Sequence, residues 1–165
     1  MNVRNRRVWI TGASSGIGEA LAYELSRRGA RLVLSSRREE VLREVRQRCA
    51  RADEHVVQTL DLAEPGSLRA AADAVQDEVG PVDILVNNGG ISQRGTAVET
   101  EMEVVRRIME INFFGAVQLT RAVLPAMIER QEGHVVVVSS LVGKFGTPLR
   151  SSYAASKHAL HGWFD

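Results

Sequence analysis

The chain holds a single cysteine, Cys49, in 165 residues. That excludes an internal disulfide and any Cys-rich metal site, and it fits a reducing, cytoplasmic compartment. Charge of one sign is lacking too: 21 basic and 20 acidic side chains leave a formal net charge of +1. With both signs interspersed there is no electrostatic footprint for nucleic acid or for an anionic membrane surface. No uninterrupted apolar run approaches the roughly 18 residues of a membrane span. The N-terminal MNVRNRR is basic, but the VWI after it is too short for the apolar region of a signal peptide. Low-complexity tracts, repeats and linkers are absent as well. One domain over 1–165 is expected, large enough to bury a real core.

What is present is alternation. Short Val/Ile/Leu-rich runs at 7–11, 31–35, 55–60, 83–87 and 134–139 read as strands buried on both faces. Helical patterns lie between them near 17–28, 38–50, 66–79 and 100–130, with a last one from Ser152 to the end. Pro125 is expected to kink or divide the long fourth helix, because proline removes a helix hydrogen bond. Strict alternation implies an α/β fold, a doubly wound parallel sheet of Rossmann-like type with helices on both faces. Ligands in such sheets bind beyond the carboxyl ends of the strands. The loops after residues 11, 35, 60, 87 and 139 are therefore the ones to read.

The first of these loops is GASSGIG, residues 12–18. Gly12, Gly16 and Gly18 permit positive φ and close backbone approach, and a helix N-terminus follows that can receive a phosphate. Ser14, Ser15 and Ile17 fill the rest of the cradle. The spacing Gly-x-x-x-Gly-x-Gly is not the Gly-x-Gly-x-x-Gly fingerprint, and Ile17 and Glu19 do not complete a Walker loop. GASSG also fits a nucleophile elbow around Ser14. No earlier strand carries an oxyanion loop, and no Asp/Glu and His downstream are marked as partners, so the phosphate cradle is favoured.

Further on, SSYAASKHAL places Tyr153 and Lys157 four residues apart, on one face of a helix. A phenol has a reference pKa of about 10, and a nearby ammonium favours the phenolate. That pairing makes a tyrosine usable for acid–base work nearer neutral pH. Ser140, thirteen residues before Tyr153, ends the strand VVVVSS and can hold a carbonyl or hydroxyl oxygen beside it.

With TGASSGIG, NNGG, the helical Asn112, the Ser-Ser strand end and YAASK in this order, the sequence resembles the short-chain dehydrogenase/reductase family over essentially its whole length. The resemblance implies NAD(P)-dependent interconversion of a secondary alcohol and a ketone. Tyr153 would be the acid/base, Ser140 would position the substrate oxygen, and Lys157 would bind the nicotinamide ribose. Asn112 would help hold a relay water. Asp61 and Leu62 would contact the adenine side, Asn87 and Gly89 the ribose side. The family usually has Ala where this chain has Gly89. The family pattern also continues beyond Asp165 with further strands. A C-terminally incomplete domain is thus expected, with 134–139 as an open edge and little turnover from these 165 residues alone. Homo-oligomers through the helices bearing Asn112 and Tyr153 are implied too.

The second strand ends in LSSRREE. An NAD enzyme needs a carboxylate there for the ribose 2′-OH. Ser36 stands in its place with Arg37 after it and Arg38 as a second cation, so NADP is expected, NAD less so. No metal is expected. The alternative function is a nucleotide-binding fragment or interaction module without catalysis.

Overall fold

The structure, a computed structural model, describes residues 2–165. Five strands form one parallel sheet in the order β3-β2-β1-β4-β5. They are β1 (Arg7–Thr11), β2 (Arg31–Ser35), β3 (Val56–Val57), β4 (Ile84–Asn87) and β5 (His134–Val137). The helices are α1 (Gly16–Arg27), α2 (Glu39–Arg48), α3 (Pro65–Val79), α4 (Met102–Met109), α5 (Gly115–Glu129) and α6 (Ser151–Phe164). Every strand–helix alternation read from the pattern is present.

The period of two along the strands splits the core into two layers. Trp9, Val33 and Leu85 point to one face, where they meet Leu68, Ala72 and Val75 of α3 and Leu119 and Val123 of α5. Val8, Ile10, Leu32, Leu34, Ile84 and Val86 point to the other, against Ala22 of α1 and Leu42 and Val45 of α2. Helices therefore cover both faces, as a parallel sheet requires. The indole of Trp9 is fully buried and donates its N–H to Ser35 Oγ at 2.8 Å, so the largest core side chain leaves no polar atom unpaired.

Three expectations are corrected. β3 is two residues long rather than six, yet Gln58 N–H still bonds Leu34 O and Leu60 N–H bonds Ser36 O, at 3.1 and 3.0 Å. The chain runs beside β2 to Leu60 with a looser pairing. Next, Pro125 sits inside α5 without dividing it, and the irregularity lies at Glu110–Phe114, a π-helical turn joining α4 to α5. Such a turn inserts an extra residue and re-aims side chains, and here the re-aimed residue is Asn112. Finally, α4, the π turn and α5 together form a helix, Met102–Glu129, long and apolar enough by length and composition to cross a membrane. It holds no uninterrupted apolar run of that length because Asn112, Gln118, Thr120 and Arg121 fall within its apolar part. In the fold, α5 spends its apolar side chains on α3 and the sheet.

β5 is an edge strand. His134 and Val136 are exposed, unlike the wholly buried β4. At the amino ends of the strands, the buried Asp83 accepts from Arg7 N–H (2.8 Å) and Arg130 Nη1 (3.0 Å), tying β1, β4 and the end of α5 together.

His55 closes the segment before β3. Its Nδ1 accepts from Leu32 N–H at 3.3 Å and its Nε2 bonds the Ala50 carbonyl at 2.9 Å. A backbone N–H can only donate, so the ring is neutral with its proton on Nε2. Burial pushes its pKa below the usual histidine range. The unfolded chain thus binds a proton that the fold excludes, and stability falls as pH drops below about 6.5 toward the folded value. Thermal unfolding at pH 7.5 and 5.5 should show a larger loss for the parent than for His55→Gln. Equal losses would remove His55 as the cause.

Candidate active site

At the carboxyl edge, β1 leads on toward β2 and β3 while β4 and β5 lie on its other side, so the strand order reverses between β1 and β4. A cleft of ≈ 320 Å³ opens there. The ends of four strands line it: Thr11 to Ser15 after β1, Ser35 to Arg38 after β2, Leu60 to Leu62 after β3 and Asn88 to Ile91 after β4. This is the topological switch point, where such sheets bind ligands.

At Gly12 and Gly18 the space is closed to any side chain. Gly12 has φ +66°, and a Cβ on it would stand 2.8 Å from Gly89 Cα. A Cβ on Gly18 would run into the Gly12 carbonyl and stand 2.6 Å from Asn88 Nδ2. Gly16, at φ +58°, faces open space. Ser15 caps α1 without spending its side chain on the helix, and Ile17 is largely exposed on the first turn. The helix N-terminus is thus left facing the cleft with its positive dipole end. Gly89, where alanine was expected, has its missing methyl position occupied: a Cβ would lie 2.6 Å from Leu62 Cδ1. The smaller residue and the Leu62 side chain compensate each other.

Two residues that the sequence reading passed over hold this loop. Thr11 Oγ1 accepts from the N–H groups of Asn88 (3.0 Å) and Gly89 (2.9 Å), and Asn88 Nδ2 donates to the carbonyls of Thr11 (2.9 Å) and Gly12 (3.3 Å). The doubled NN after β4 was the available signal. Asn87, the one selected for the ribose side, instead points away: it is buried and donates to Thr120 Oγ1 at 2.9 Å. Neighbouring residues at a strand end face opposite sides, and the cleft receives Asn88.

The cations after β2 divide their work. Arg38 Nη2 donates to Ser14 Oγ (3.0 Å) and Ser15 Oγ (3.4 Å), while Ser36 Oγ accepts from Arg38 N–H (3.1 Å). Arg37 lines the same cleft and has no hydrogen bond or ion pair to protein among the described residues. Asp61 turns its carboxylate back to Ala63 N–H at 3.0 Å.

The second part of the site is built on α6. Lys157 is buried, its Nζ donating to the Val138 carbonyl at 2.8 Å and lying 5.8 Å from the centre of the Tyr153 ring. Burial pushes the Lys157 pKa below the usual lysine range. Ser140 caps a 3₁₀ turn at Leu141–Gly143, its Oγ accepting from Val142 N–H at 3.4 Å. Its neighbour Ser139 turns under α6 instead, 3.0 Å from His161 Nε2. Asn112 joins the two parts: Oδ1 accepts from Ile91 N–H (2.8 Å), and Nδ2 donates to Ile91 O (2.9 Å) and Ser156 Oγ (3.0 Å). Both amide protons of Asn112 are committed. Its Oδ1 borders the space over Gly90, where a Cβ would lie 3.0 Å from it and 3.8 Å from Lys157 Nζ. No group of His, Cys, Asp or Glu able to hold a metal occurs among the described residues.

The sequence pattern of the short chain dehydrogenase family matches residues 6–165, and the chain belongs to that family. It is 50% identical over 163 residues to dehydrogenase/reductase SDR family member 7 of Homo sapiens, covering 96% of this chain and 48% of that protein. It is 49% identical to the Bos taurus member 7B, covering 99% of this chain and 52% of that protein. The chain thus spans about half the length of the curated relatives it matches. Among solved structures, a short-chain dehydrogenase from Streptomyces avermitilis superposes with TM-score 0.92 at 36% identity, over 98% of this chain and 59% of that one. A variant of actinorhodin polyketide ketoreductase with NADPH superposes with TM-score 0.91 at 35% identity, over 96% and 62%.

The glycine contacts give a direct test. Gly18→Ala should lose about 1–3 kcal/mol of stability by overpacking against backbone and weaken nicotinamide nucleotide binding at least tenfold. Gly16→Ala, strained only through its φ, should lose about 1–2 kcal/mol and retain more binding. Denaturant unfolding and fluorescence titration check both, and equal behaviour of the two variants contradicts the close-packed cradle.

Proposed function

We propose that this chain is the cofactor-binding and acid–base portion of an NADP-dependent oxidoreductase that interconverts a secondary alcohol and a ketone. The observation that carries the reading is that one cleft joins the glycine cradle with Arg37, unpaired among the described residues, and ends at Gly90 and Ile91, where Asn112 bonds Ile91 and Ser156 and Lys157, beside the Tyr153 ring, borders the space over Gly90. The glycine cradle, closed to any Cβ at Gly12 and Gly18, fits a pyrophosphate against the α1 N-terminus. A nicotinamide cofactor, when bound, supplies or accepts the hydride.

The chain's own residues would then do the following. Arg37 binds the 2′-phosphate and Arg38 keeps Ser14 and Ser15 in place under the pyrophosphate. Ser140 orients the substrate oxygen. Tyr153 donates or accepts the proton on that oxygen, and Lys157 keeps positive charge beside the phenol. The ketoreductase structure with NADPH is in keeping with the choice of NADP. Oligomerisation through the Met102–Glu129 helix, which bears Asn112, and α6, which bears Tyr153, belongs to the same proposal, supported by exposed Met102 on α4, Phe114 in the π turn and Trp163 on α6. A cytoplasmic setting rests on the lone cysteine, Cys49, buried and held as a thiol by desolvation. The competing reading, a nucleotide-binding module without catalysis, differs only in the work of Tyr153.

Titration of the 165-residue chain with NADPH and NADH, followed by nicotinamide fluorescence, tests the cofactor half. NADPH should bind tighter, and Arg37→Met should lower its affinity roughly 10- to 100-fold with NADH unchanged, the worth of a charge-assisted contact. Equal binding of both nucleotides by the parent rejects the NADP assignment. Tyr153→Phe should abolish any ketone reduction and leave binding intact; reduction that survives it rejects the acid–base role.

A further inference from the structure

Arg150 is the N-cap residue of α6. A cation there meets the positive end of the helix dipole, so other contacts must hold it. Nη1 donates to Ser92 Oγ at 2.8 Å, and the guanidinium carbon lies 5.9 Å from the centre of the Tyr153 ring. Lys157 Nζ lies 5.8 Å from the same centre. The tyrosine therefore has a cation on the turn before it and another on the turn after it. The residue before Arg150 is pinned too: Leu149 O accepts from Gly95 N–H at 3.0 Å, with Leu149 held at φ +64°. Two bonds thus fasten residues 92–95, the loop that continues from the cleft, to the start of α6.

We propose that Arg150 is a positioning residue for Tyr153, holding the 92–95 loop against the start of α6 and favouring the phenolate together with Lys157. It rests on the reading of Tyr153 as the acid–base group. Other charges near α6 are engaged elsewhere or unpaired with it. Lys144 and His161 meet Asp165 at the far end of the helix. His158 bonds the Ala154 carbonyl. Glu103, Arg106 and Arg107 of α4 and Glu110 of the π turn, the elements that pack on α6, make no ion pair or side-chain hydrogen bond with it among the described residues. Arg94, exposed on the facing loop, makes none either.

The chain has two tyrosines, Tyr23 and Tyr153. Burial, with the hydrogen bond to Glu19, pushes Tyr23 up to about 12. Tyrosinate ultraviolet absorbance is therefore titrated in the parent and in Tyr153→Phe, with helical circular dichroism followed at each pH. The transition that Tyr153→Phe removes is the one assigned to Tyr153. Arg150→Gln keeps a donor for Ser92 but removes the charge, and should lower the ionisation constant of that transition about threefold or more, the effect of one charge at this range. Arg150→Lys should leave it near the parent. Ser92→Ala, which frees the guanidinium without removing it, should move it the same way by a smaller step and keeps the test open should Arg150→Gln fail to fold. An unmoved transition in Arg150→Gln, or in Ser92→Ala where that variant must stand alone, overturns the proposal. So does an equal shift in Arg150→Lys. A chain that binds no nucleotide and reduces no ketone would sink the oxidoreductase reading, yet this titration would still report on Arg150.

Discussion

The structure depends on how closely two backbones approach at the carboxyl ends of β1 and β4. Gly12 and Gly89 lie so near that a methyl group on Gly12 would come within 2.8 Å of Gly89 Cα. Four hydrogen bonds across the gap keep them there, two between Asn88 and Thr11, one from Asn88 Nδ2 to Gly12 O and one from Gly89 N–H to Thr11 Oγ1. Without that approach α1 could not begin where it does, with its N-terminus over the cleft. The same contact decides which residues the cleft can have. Gly18 must be glycine because Gly12 and Asn88 lie against it, and Leu62 can fill space over Gly89 because no methyl is there.

A second constraint carries this order sideways to α6. Asn112 sits in a π-helical turn, and without the extra residue its amide would not meet both the backbone of Ile91 and Ser156. Ser156 in turn bonds the carbonyl of Tyr153 at 2.8 Å. A chain of bonded groups therefore runs from the loop after β4 to the backbone of the tyrosine. Each link is buried or half-buried, where an unpaired polar group would cost about 1–3 kcal/mol. The expense of breaking any one link keeps the others in register.

Much of this was legible in the residues. Strand–helix alternation fixed the sheet class, because parallel strands buried on both faces can be read as continuous apolar runs. The glycine loop, Tyr153, Lys157 and Ser140 could be picked out because each rests on a residue type that little else can replace at its spacing, whereas Asn112 could be picked out only through the resemblance to the family. What escaped the reading depends on direction rather than type. Asn87 and Asn88 are chemically identical, and only the pleat decides that Asn88 enters the cleft while Asn87 meets Thr120. Arg37 and Arg38 look alike in LSSRREE, yet Arg38 is spent on Ser14 and Ser15 while Arg37 has no partner among the described residues. The π turn has no local composition of its own, and it was Pro125 that drew attention in its place. β3 shortened because beyond Val57 the bonds run one way, from the N–H groups of Gln58 and Leu60 to Leu34 O and Ser36 O, with none returned from the β2 side among the described residues.

The position of Lys157 shows why these directions matter. Burial disfavours its charged form, so its ammonium needs partners. The protein supplies one directly, the Val138 carbonyl, and leaves the rest of the head toward the space over Gly90 that Asn112 Oδ1 also borders. Two of its three donors are therefore available to whatever occupies that space. A hydroxyl-bearing group or a water there would satisfy them and restore the charge that burial opposes. The lysine is thus best ionised when the site is filled, which ties the charge beside Tyr153 to occupancy of the cleft.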